Sequence, residues 1–81
     1  MNITNKKLGI NTDKINQSTN KSELLFWRER LQIINSDLNK DDKQSINYNK
    51  YNLLLISAIE ERLIAISLWF RIKSLWKNLL K

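Results

Sequence analysis

Two adjacent carboxylates, Glu60 and Glu61, lie inside the most apolar stretch of the chain. Paired carboxylates can act as general acid and base when both reach one substrate. Neighbouring residues of a helix point about 100° apart, so these two side chains cannot flank one substrate. The chain also has no cysteine and no histidine, which removes thiolate nucleophiles, Cys/His zinc sites and histidine switches. The sequence therefore predicts a protein that is not an enzyme and that uses no cofactor, no metal and no small-molecule substrate.

The strongest binding signal is the C-terminal segment 63–81, which has four basic residues and no acidic one. At about 100° per residue, most of its apolar side chains fall on one broad face of a helix and its basic ones on the other. Such a basic amphipathic helix is typical of a segment that lies on an anionic membrane surface. The same face could instead complete a protein interface or core. The residues that the pattern assigns to this membrane or anionic surface are Leu68, Trp69, Arg71, Ile72, Lys73, Leu75, Trp76, Lys77, Leu79 and Lys81.

A first helix is predicted over residues 22–38. Ser22 is suited to cap its N-terminus, with Glu23 in the first turn. Apolar residues then recur at spacings of 3 and 4, which is the pattern of a coiled-coil seam. Together with part of the following helix, this seam predicts an interface with a partner or a second copy. The residues predicted at the interface are Leu24, Trp27, Leu31, Ile34, Leu38, Leu55, Ile59 and Glu61.

A second, longer helix is predicted over residues 47–80, after a connection over 39–46 in which Asp41, Asp42 or Ser45 could cap it. Over residues 51–66 its apolar side chains point in nearly every direction, more than the short first helix can cover. That surplus indicates an oligomer or a permanent partner. The charged cluster at residues 60–62 would cost about 2–3 kcal/mol per residue inside a bilayer, which argues against a transmembrane helix. For Glu61, a specific contact with Arg28 or Arg30 of the first helix is expected.

Residues 1–21 are polar and basic, and their few apolar residues show no period. Such a segment buries too little surface to offset its ordering entropy, so a disordered tail is predicted. It also lacks the apolar run of a signal peptide. Asn, Lys and Ile make up 32 of the 81 residues. This bias is typical of an AT-rich genome, and it predicts that many of the asparagines have no specific role.

The predicted fold class is all-α, a helical hairpin with a disordered N-terminal tail, completed by self-association or a protein partner. The predicted function is that of a non-enzymatic adaptor subunit in a larger assembly, held at a membrane surface by its C-terminal helix. Two alternatives are a small nucleic-acid- or ribosome-associated protein and a membrane-active, toxin-like peptide. The net charge of +6 suits all three. An intracellular location is favoured, because neither a signal peptide nor a transmembrane helix is predicted.

Overall fold

The computed structural model describes residues 2–38 and 41–79. Within these residues the chain forms two short strands and three helices. The elements are β1 (Thr4–Asn5), β2 (Ile10–Asn11), α1 (Thr12–Gln17), α2 (Lys21–Ser36) and α3 (Lys43–Leu79). The prediction of a mostly helical chain is confirmed. The antiparallel pair of strands, in which Thr4 is opposite Asn11 and Asn5 is opposite Ile10, was not predicted.

The long helix α3 is the element on which the rest of the molecule packs. Its 37 residues extend about 55 Å at 1.5 Å per residue, close to the 59 Å long axis of the molecule. Both α1 and α2 contact it. α2 runs in the opposite direction to α3, because Asn35 near its end bonds to Asn52, whereas Ser18, just before its start, bonds to Arg62.

The N-terminal segment is folded, in contrast to the predicted disordered tail. Residues 2–17 form both strands and α1, and they place Ile10 and Ile15 in the core, where 1% and 0% of their surface remains exposed. Gly9, the only glycine of the chain, has φ of 66° in the turn between the strands, a conformation that costs glycine little. This turn brings together apolar residues whose spacing in sequence shows no helical or strand period.

The helix N-termini are capped by side chains. Asn11 accepts a hydrogen bond from the backbone N–H of Lys14 at 2.7 Å, and Asn20 accepts one from Glu23 at 3.2 Å. α2 therefore begins at Lys21 after an Asn20 cap, and the predicted Ser22 cap is wrong. α3 begins at Lys43 rather than at residue 47. Its first turn is closed by Asp42, one of the three predicted candidates, which accepts from the N–H of Gln44.

The apolar core lies between α3 and the elements packed on it. It ends at Ile66, well before the end of α3. The core residues are Ile10, Ile15, Leu24, Trp27, Leu31, Leu55, Ile56, Ile59 and Ile66.

Three asparagines form a polar network through this core. Asn5 and Asn52 are each only 1% exposed. Asn5 donates to the side-chain oxygen of Asn52 at 2.8 Å and to the hydroxyl of Tyr48 at 3.1 Å. Asn52 in turn donates to the side-chain oxygen of Asn35 at 2.9 Å. The network therefore joins β1, α2 and α3, and these asparagines have a structural role that the composition argument did not predict.

Candidate docking surface

The C-terminal end of α3 extends past the folded body as a free helix. Residues 67–79 are all exposed, whereas Ile66 is the last core residue. This end is about 20 Å long at 1.5 Å per residue. It carries large apolar side chains in solvent, and Leu79 is 79% exposed. The apolar stripe of this end, called the stripe below, consists of Leu68, Trp69, Ile72, Leu75, Trp76 and Leu79.

The middle of the stripe faces away from the folded body, and Trp69 at its edge lines a groove beside the body. The side chains with which α3 contacts the body include Asn52, Leu55, Ile59 and Ile66. At 3.6 residues per turn, the middle of the stripe is rotated from them by roughly 140°. The stripe therefore does not continue the core side of α3, and bending the helix towards the body would not bury it. An occupant of the stripe has to approach from the opposite side.

Basic side chains border the stripe. Lys73 and Arg71 lie at its two edges, and Lys77 lies on the polar side of the helix. The ammonium group of Lys73 is 4.6 Å from the ring centroid of Trp69, a cation–π contact. No acidic residue occurs between Arg62 and the end of the chain. An apolar face with flanking cations and with aromatic residues at its edges is suited to a membrane–water interface.

A groove of about 590 Å³ lies where α3 leaves the body. Phe70, which is outside the stripe, lines this groove, and its ring contacts Trp69 edge to face with centroids 5.9 Å apart. Arg62 also lines it and donates from Nε to the carbonyl oxygen of Ser18 at 2.8 Å. The groove is lined by Thr19, Arg62, Ala65, Ile66, Trp69 and Phe70. The bond to Ser18 fixes the chain before α2 to the last turn of α3 that belongs to the body.

The predicted partner interface and the predicted membrane surface occupy different environments. Five of the predicted interface residues, namely Leu24, Trp27, Leu31, Leu55 and Ile59, are buried in the chain's own core, so they offer no surface to a partner. Ile34 and Leu38 are half-buried. The membrane-surface residues from Leu68 to Leu79 are all exposed together on α3, and Lys81 lies outside the described residues.

Glu61 is exposed on the same side of α3 as the stripe. Among the residues that the structure describes, it forms no ion pair, so the expected contact with Arg28 or Arg30 is absent there. The guanidinium of Arg30 lies 5.8 Å from the ring centroid of Phe26 instead. Glu61 is therefore a free charge on an otherwise apolar face, whereas the neighbouring Arg62 is held by the body.

Within residues 2–38 and 41–79, no helix combines the length and the apolar character needed to cross a bilayer. The same residues contain no group of three or more acidic side chains placed to hold a metal ion. In comparisons with known proteins, no protein family, no curated protein and no solved structure matches this chain.

Proposed function

We propose that this protein is a non-enzymatic adaptor that attaches its folded body to an anionic membrane surface through the free end of α3. One observation carries the proposal: every residue of the stripe lies beyond the last core residue and is at least half exposed, and the middle of the stripe faces away from the body. In that orientation the helix can lie flat on a membrane while the body stays on the aqueous side. Nothing in the described part of the body obstructs the stripe.

The energetics of such an attachment are favourable. Burying one Leu or Ile side chain fully contributes about 1.5–3 kcal/mol, so partial burial of the six stripe residues is a substantial driving force. Arg71, Lys73 and Lys77 each add about 1 kcal/mol near an anionic leaflet. The long stems of Lys73 and Arg71 allow their charges to reach the headgroups while the stripe is immersed.

The two alternative functions fit this surface less well. Binding to nucleic acid would use the basic residues, but it would leave the stripe and both exposed tryptophans in water. A toxin-like peptide would not need the folded body that residues 2–38 and 41–66 form. A basic amphipathic end carried on such a body is better suited to recruitment than to permeabilisation.

The proposal is tested by a matched pair of substitutions, Ile72→Asp and Ser74→Asp. Each adds one negative charge to the free end of α3, but Ile72 lies in the stripe and Ser74 on the polar side. Binding to vesicles containing phosphatidylglycerol is measured by co-sedimentation. We expect Ser74→Asp to weaken binding about fivefold, which is the effect of one charge near an anionic surface. We expect Ile72→Asp to weaken binding about a hundredfold, because this variant also loses the burial of an apolar side chain.

Tryptophan quenching by brominated acyl chains provides the second readout. Trp27 is buried in the core, so quenching reports on Trp69 and Trp76. Quenching that persists in moderate salt supports insertion of the stripe. Equal losses for the two substitutions, or the absence of quenching, would mean that the apolar face does not contact lipid.

A further inference from the structure

A regular apolar seam runs along the outer face of α3 far beyond the stripe. Its positions alternate at spacings of 4 and 3 residues, which gives a mean period of 3.5. This is the period at which one helix pairs with another in a coiled coil. Every seam residue is exposed except the half-buried Ala58. The seam consists of Tyr51, Leu54, Ala58, Glu61, Ala65, Leu68, Ile72, Leu75 and Leu79.

The seam is complementary to its own copy when the copy runs in the opposite direction. With Glu61 opposite Ala65 of the second copy, Ala58 lies opposite Leu68, so each alanine of the seam meets a larger side chain. Such self-complementarity is what a twofold isologous interface requires. It points to a second copy of the chain as the occupant.

Charge decides between the two directions of pairing. In a parallel pair, Glu61 would face Glu61 of the second copy, and the basic ends would lie side by side, so like charges would repel. In an antiparallel pair, Glu61 faces Ala65 of the second copy, and the two basic ends lie at opposite ends of the assembly. In the same register, the small Ala58 faces Leu68 of the second copy. Leu54 likewise faces Ile72 of the second copy, and Tyr51 faces its Leu75.

We infer that the chain forms an antiparallel homodimer in solution through the α3 seam. The paired region covers residues 51–75 of both copies and is about 40 Å long. The folded body borders the seam at its N-terminal end, where Ala58 packs against the core and Tyr51 lines a groove with Asn2, Ile3 and Thr4. From Glu61 onwards the seam faces away from the core. This dimer does not depend on the proposed membrane attachment, and the two uses of the stripe exclude each other.

Sedimentation of the full chain without lipid tests the dimer, with Leu54→Glu and Leu53→Glu as a matched pair. Both leucines are exposed on α3, but only Leu54 belongs to the seam. We expect the wild-type protein and Leu53→Glu to sediment at twice the monomer mass at micromolar concentrations, and Leu54→Glu to sediment as a monomer. Circular dichroism checks that both variants remain helical. A wild-type monomer at all concentrations, or equal effects of the two substitutions, would overturn the inference.

The direction of pairing is tested with cysteines, because the chain has none of its own. Leu54→Cys and Ile72→Cys are prepared separately and then mixed under oxidising conditions. The antiparallel pair predicts a disulfide only between the two different variants. Disulfides within each variant alone would show parallel pairing and contradict the inference. Vesicle binding by Leu54→Glu separates the two proposals, because this substitution disrupts the seam and leaves every stripe residue unchanged. Loss of the dimer with vesicle binding retained would support both proposals, and loss of vesicle binding would contradict the membrane attachment alone.

Discussion

Asn52 is the residue on which the polar part of the core depends. It accepts from Asn5 at 2.8 Å and donates to Asn35 at 2.9 Å, with 1% of its own surface exposed. A buried amide without a partner costs more than its hydrogen bonds contribute when they are formed. One side chain therefore couples the pairing of three segments that are far apart in sequence.

Substitution of Asn52 by Leu should lower the free energy of unfolding by about 1–3 kcal/mol, because the amide of Asn5 loses its shorter hydrogen bond. Urea unfolding followed by circular dichroism measures the change. Asn16→Leu, at an exposed position of α1, is the control and should stay within about 0.5 kcal/mol of the wild-type value. Equal effects at the two positions would show that the buried network contributes no specific stability.

At the scale of single elements, α3 has a longer packed part, up to Ile66, and a shorter free end. Tertiary contacts support it up to Ile66, and none of the core residues lies beyond. A helix of about a dozen residues is only marginally stable by itself in water. The backbone hydrogen bonds of the free end should therefore break far more often than those of the packed part when no partner covers this end.

Amide hydrogen exchange in the monomeric Leu54→Glu variant should reveal this difference. We expect the amides of residues 68–79 to exchange at least tenfold faster than those of residues 55–59, because only the latter lie under the body. Mass spectrometry of peptic fragments reports both regions in one sample. Uniform protection along α3 would mean that its free end is stable without packing.

The sequence predicted these elements unequally, and the physical reasons differ. The two longer helices and the amphipathic end of α3 follow from strong periodic patterns. The fold of residues 2–17 does not, because Ile10 and Ile15 become core residues only when the turn at Gly9 places them on α3. The spacing of Leu24, Trp27 and Leu31 indicated an apolar face, but spacing does not say whether that face meets its own chain or another.

At the scale of the whole molecule, one exposed face has two proposed occupants. The dimer covers the seam, and the membrane covers the stripe, which shares Leu68, Ile72, Leu75 and Leu79 with the seam. Each copy can therefore use this face for only one of them at a time. Binding to lipid then draws on the monomer, so the two equilibria are linked by mass action.

The fraction of protein bound to a fixed, excess amount of anionic lipid should fall as the protein concentration rises through the dimer dissociation constant. Self-association then removes the binding-competent monomer. Co-sedimentation with vesicles over a range of protein concentrations measures this fraction. For Leu54→Glu we expect a constant fraction over the same range. A wild-type fraction that is also constant would show that the dimer and the lipid do not compete.

The end of the core at Ile66 also has an evolutionary consequence. Substitutions before this point must preserve the packing of α1 and α2, whereas substitutions after it leave the stability of the body nearly unchanged. Selection can therefore alter the target of the protein by changing only the last turns of α3. In descendants of this chain, the part of α3 after Ile66 should therefore change in sequence faster than the part before it, although both belong to one continuous helix.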